Sequence, residues 1–129
     1  MVGKTALNKE MKHLNGAYFR TIISKEKVKT SIEFNKALRL LDCGKAERAI
    51  EILQVVINNA QNERDDLLFI RSNCVLGELY FDCNDFDKSK SYLEAALSKM
   101  NNCGIDEDLF DYEKSIALKI LTELNNNYW

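Results

Sequence analysis

The residues that could do chemistry in this chain come in a few short groups. Val2-Gly3-Lys4-Thr5 has the types that close a phosphate-binding loop. Such a loop needs G-x-x-x-x-G-K-[ST] after a strand, because several backbone N–H groups must wrap the phosphates together. Only Met1 and Val2 precede Gly3, so the wrapping half of the motif is missing. The acidic run from Asp82 to Glu94 offers oxygen ligands of the kind calcium takes. A calcium loop opened at Asp82 would place Phe86 and Leu93 where oxygen ligands are required, so the run reads instead as a turn followed by a helix start. Cys43, Cys74, Cys83 and Cys103 lack the close pairing of zinc ligands, and the single histidine, His13, is remote from them. They read as free thiols of a reducing compartment, mostly small apolar core residues. His13 has no nucleophile set beside it by a recognisable motif, and Glu47 and Glu51 are spaced as carboxylates on an exposed helix face. No catalytic constellation is assembled, and the sequence implies no cofactor and no metal.

The elements that carry these residues are expected to be helices. The chain has 129 residues, no proline and only five glycines, with 46% hydrophobic and 29% charged side chains. Sheet folds need many turn residues, and disordered chains need fewer apolar ones. No apolar run reaches the roughly 18 residues that span a bilayer, and Met1–Leu14 has no signal-like hydrophobic segment. These features suggest a cytoplasmic or nuclear protein with no membrane contact.

Charge is unevenly placed. Residues 1–30 hold seven basic and two acidic side chains, a net of +5, and the rest of the chain carries a net of −7. Tyr18 and Phe19 interleave the basic stretch, but no nucleic-acid-binding signature is present, and the acidic remainder would repel phosphate. Direct nucleic-acid binding is therefore disfavoured.

Sliding the chain against itself by 40 residues brings Ala37, Gly77 and Ala117 together. Leu40, Tyr80 and Ile120 then coincide, as do Leu41, Phe81 and Leu121. In the following helices Ala49 meets Ser89, Leu53 meets Leu93 and Val56 meets Ala96. Small side chains at a fixed interval let helix backbones cross closely while large ones fill the gaps between them. The expected helices are residues 5–23, 28–43, 46–61, 65–83, 86–102 and about 107–125, with Asp65 and Asp66 favouring one start and Asp106, Glu107 and Asp108 another. The fold class is all-α: antiparallel helical hairpins stacked as a short solenoid of about six helices, since one hairpin cannot bury its apolar face alone. The division is a basic amphipathic N-terminal helix (1–29), helical repeats (30–125) and a short tail (126–129).

Leu76-Gly77, Tyr80, Ser89, Leu93 and Ala96, with Phe86 where tyrosine is usual, resemble the tetratricopeptide repeat. Ala37, Leu40, Gly44, Ala49, Leu53 and Val56 resemble it more weakly, and the resemblance spans roughly residues 30–122. The period of 40 exceeds the usual length of roughly 34 and is similar to the longer-helix variety of peptide-binding regulators and scaffolds. The resemblance implies a concave groove lined by first helices. Its positions here would be Phe34, Leu38, Leu41 and Asp42; Arg71, Cys74, Glu78, Phe81 and Asp82; and Lys114, Leu118, Leu121 and Thr122. The family's clamp for chaperone carboxylates uses Lys, Asn and Arg. Phe34, Leu38, Glu78 and Leu118 stand at those positions with only Lys114 fitting, which excludes that role.

The function expected is a non-catalytic scaffold or regulator module binding a protein or peptide partner. An apolar, acidic groove suits a basic amphipathic helix. Residues 5–23, basic and amphipathic themselves, are expected to cap the repeats or occupy their groove. The alternatives are a homodimeric helical-repeat domain and the peptide-sensing domain of a larger regulator.

Overall fold

The computed structural model describes residues 16–105 and 107–127, with side chains for 27–105 and 108–126. Five α-helices lie among them: α1 (Gly16–Asp42), α2 (Ala46–Glu63), α3 (Asp66–Asp82), α4 (Phe86–Asn102) and α5 (Asp111–Asn127). A single 3-10 turn, Glu107–Phe110, precedes α5. The chain is all-α over these residues, built as antiparallel hairpins in a short stack.

One boundary differs from the sequence reading. Helices expected at 5–23 and 28–43 are a single helix from Gly16 onward, and residues 5–15 lie outside the described residues. Ser24-Lys25-Glu26-Lys27 contains neither glycine nor proline, and lysine and glutamate sustain a helix well, so nothing stops it there. The division drawn after residue 29 falls inside α1. At the other end α5 continues to Asn127, and residues 128–129 lie outside the described residues.

The turns repeat to the atom. Gly44 N–H donates to Leu41 O at 3.0 Å and Lys45 N–H to Leu40 O at 2.8 Å. Forty residues on, Asn84 N–H donates to Phe81 O at 3.0 Å and Asp85 N–H to Tyr80 O at 2.9 Å. This paired bonding satisfies the last helical carbonyls and requires one left-handed residue. Left-handed φ values occur at Gly44 (77°), Arg64 (57°), Asn84 (63°) and Gly104 (68°). One helix and its turn therefore occupy 20 residues, and a hairpin 40. Asp65 caps α3 by accepting from Leu68 N–H at 3.2 Å, and Asp85 caps α4 by accepting from Lys88 N–H at 3.4 Å. That cap accounts for the acidic run that resembled a calcium loop.

Arg64 is the costly member of this set, because a side chain in the left-handed region crowds the following carbonyl. Arg64→Gly is expected to stabilise the fold by about 0.5–1 kcal/mol, read as a rise in Tm of about 2–5 °C. A fall in Tm would mean that the arginine side chain contributes more than its backbone conformation costs.

The small residues of the 40-residue register stand at the helix crossings. Ala37, Ala49 and Leu53 are fully buried between α1 and α2. Gly77, Ser89 and Leu93 are buried between α3 and α4, where Ser89 Oγ–H donates to Gly77 O at 2.7 Å. A Cβ placed on Gly77 would overlap Leu93 Cδ2 and Cγ, so any larger residue requires Leu93 to shift. Tyr80 stacks on Tyr92 beside that crossing, with ring centroids 5.6 Å apart.

Ile70, Cys74, Ala96 and Met100 close around Phe110, which anchors the start of α5. Leu93 meets Ala117, Ile120 and Leu124 along α5. Thr30 Oγ1–H donates to Glu63 Oε1 at 2.8 Å, setting that level of α1 beside the last residue of α2. Lys99 Nζ lies 3.9 Å from Asp66 Oδ1, so the end of α4 returns to the start of α3. Successive hairpins place α1, α3 and α5 parallel in one layer, with α2 and α4 behind.

Candidate functional site: the cleft between α3 and α5

The first helices face one another across two seams, α1 with α3 and α3 with α5. Leu38 and Leu41 of α1 and Leu79 and Tyr80 of α3 are half-buried and pack against one shared core. Between α3 and α5 a cleft of about 260 Å³ remains. Glu78, Phe81 and Asp82 form one wall, and Ile116, Lys119, Ile120 and Glu123 form the other. The floor is apolar, and the rim carries three carboxylates against one lysine. At the amino-terminal ends of the two helices, Arg71 Nε lies 3.3 Å from Glu113 Oε1 and ties α3 to α5.

The residues carried over from the repeat pattern separate into three groups. Glu78, Phe81 and Asp82 come together at the cleft, with Arg71 and its partner beyond one end. Phe34 and Cys74 are interior, at 9% and 3% exposure, and offer no groove surface. Leu38 and Leu41 are half-buried against the core shared by α1, α2 and α3, and Asp42 is exposed at the end of α1. On α5, Leu118 is exposed, Leu121 packs against the core around Leu93, and Lys114 lines a small gap with Met100 and Phe110. These three stand about half a helical turn away from Ile116, Ile120 and Glu123, because two positions rotate a helix by about 200°. The repeat pattern identifies the side of each first helix that looks toward the next one. The opposing wall belongs to a different register of the following helix, and the sequence reading missed it. An amphipathic plot of α5 with two apolar edges, Ile116/Ile120 and Leu118/Leu121, is the signal that was present.

The cleft strains its own carboxylates. Glu78 is pushed above the usual carboxylate range, first by burial, then by Asp82 and then by Glu113. The same acidic surroundings act on the thiol beneath. Burial, followed by Glu113 and Glu78, raises Cys74 to about 12. Cys43 and Cys83 are exposed, and Cys103 is half-buried. A thiol reagent at neutral pH is expected to label Cys43 and Cys83 quickly, and Cys74 only after unfolding, since the thiolate is the reacting form. Rapid labelling of Cys74 in the native chain would show that α5 opens readily.

Among the described residues no group of three His, Cys, Asp or Glu side chains is placed to hold a metal ion, and no helix is long and apolar enough to cross a membrane. Val2–Thr5 and His13 lie outside the described residues. Glu47 and Glu51 are exposed on α2.

Parallel first helices, a second layer behind them and an acidic cleft between α3 and α5 define a helical-hairpin repeat. Residues 70–98, which run from α3 through the turn into α4, match the tetratricopeptide repeat family model, so the chain carries a repeat of that kind. Repeats of this family generally mediate protein–protein interactions. Searches of curated proteins and of solved structures gave no match.

Proposed function

We propose that the chain is a non-catalytic interaction module that holds a basic amphipathic helix or peptide of a partner protein in the cleft between α3 and α5. The observation carrying this reading is the pairing of an apolar floor, Phe81, Ile116 and Ile120, with a rim of Glu78, Asp82 and Glu123. Glu78 in particular is ionised at a cost, because burial and two neighbouring carboxylates oppose its charge. A cationic side chain entering the cleft relieves that repulsion, and an apolar neighbour one helical turn away covers the floor. The match of α3 and α4 to a family that generally binds proteins supports the same reading.

The test is titration of a labelled lysine- and leucine-rich amphipathic peptide, followed by anisotropy. Glu78→Gln with Asp82→Asn is expected to weaken binding about 10-fold or more, and raising salt from about 50 to about 300 mM is expected to weaken it further. Binding should also fall as the pH drops through the raised pKa of Glu78, because protonation removes the charge that attracts the peptide. The folded state holds that proton more tightly than the unfolded chain does. Its contribution to stability is therefore full at acid pH and lost as pH rises through the folded value. Acidification is thus expected to weaken the peptide while this group steadies the fold, which separates loss of binding from loss of structure. No binding by the natural sequence, or equal binding by the double variant, would sink the reading.

A further inference from the structure

We infer that the basic amino-terminal part of α1 in one copy of this chain occupies the acidic cleft of a second copy, so that the protein self-associates through this pair of surfaces. The inference rests on the cleft reading above and supplies an occupant for it. Thr30 is level with Glu63, the last residue of α2. Residues 16–29 of α1 therefore continue past the end of their hairpin partner, by about 20 Å at 1.5 Å per residue. Over this length α1 has no α2 residue beside it. The segment carries four basic side chains and one acidic, a net of +3. At its base Val28 and Ile32 are 56% and 55% exposed, one helical turn apart, with Lys29 and Lys36 exposed beside them. A basic helix with an exposed apolar edge is the chemistry that the α3/α5 cleft accepts.

The geometry also decides between copies. The cleft involves Glu78 to Asp82, at the carboxyl-terminal end of α3, whereas the overhang leaves the body at the amino-terminal end of the parallel helix α1. Because α1 is unbroken, residues 16–23 cannot turn back into the cleft of their own chain. That removes residues 16–23 from the groove-filling arrangement expected from the sequence, and a second copy can present the same helix to the cleft.

The test uses the full chain in light scattering over a range of concentrations, with two charge-reversed variants. Lys27→Glu with Lys29→Glu reverses the overhang, and Glu78→Lys with Asp82→Lys reverses the cleft. The natural sequence is expected to gain mass with concentration and to lose it with salt. Each variant alone is expected to associate about 10-fold more weakly, and an equal mixture of the two to recover to within about 3-fold, because each overhang then finds an oppositely charged cleft. Unchanged helical circular dichroism in both variants keeps folding out of the comparison. A chain that stays monomeric throughout overturns the inference, and so does a mixture that fails to recover. If the monomeric chain still binds the basic peptide, the cleft reading stands and only self-occupancy falls. If the chain associates but cleft reversal changes nothing, association runs through another face and the inference is wrong.

Discussion

Gly77→Ala is expected to destabilise the protein by about 1–2 kcal/mol, although helix propensity alone favours alanine by about 0.5–1 kcal/mol. The sign is decided by the helix crossing. The added methyl would overlap Leu93 Cδ2, and Leu93 is fully buried, so its side chain is hemmed in by its neighbours. The Ser89 hydroxyl bond to the Gly77 carbonyl holds α3 and α4 at this separation and resists their parting. Gly77→Leu is expected to abolish the native fold. Leu93→Ala alone should cost about 2–5 kcal/mol, and at least about 1 kcal/mol less in the Gly77→Ala background, where the new methyl fills part of the vacated space. Urea unfolding of the four proteins measures the cycle. A stabilising Gly77→Ala, or costs that simply add, would show that the crossing is looser than the contacts imply.

The second large effect is expected at Phe110. Its side chain is 2% exposed among Ile70, Cys74, Ala96 and Met100, and it is the main apolar anchor at the start of α5. Phe110→Ala should cost about 3–5 kcal/mol of local stability, which is comparable to the total stability of many domains. The loss falls on one edge of the stack. The expected outcome is that α5 detaches while α1 to α4 stay folded, so two-state unfolding gives way to two steps. Hydrogen exchange should show fast amides in α5 and protected ones in α3. Cys74, no longer covered, should become reactive, and the cleft should lose the wall formed by Ile116, Ile120 and Glu123. Uniform loss of protection across all five helices would show that the stack unfolds as one unit.

Much of this architecture was legible in the sequence because its cause is local. Ala37, Gly77 and Ala117 mark crossings wherever small residues recur between large ones, and Gly44 marks a turn by its conformational freedom. Two features were not legible. The continuity of α1 was hidden because its apolar pattern shifts near Ser24, and a shift in stripe looks like a break until the backbone shows that no residue there ends a helix. The second wall of the cleft was hidden because a repeat pattern transfers one face of each helix, whereas a seam takes different faces from two neighbours. Phe34 and Cys74 illustrate the same limit: an apolar residue on a first helix fits a groove or a core equally well until its neighbours are known.

The even placement of the left-handed residues, at 44, 64, 84 and 104, has a consequence for how such a chain can grow. Copying in a segment of 40 residues, from Ala46 to Asp85, would add one complete hairpin, and every later helix would keep its place in the front or back layer. Copying in half of that would send every later helix to the opposite layer, moving α5 from beside α3 and presenting helices whose apolar faces were shaped for the interior. Length changes in whole periods leave each later helix in its layer and half periods exchange the layers, so insertion into this stack is constrained by parity as well as by packing.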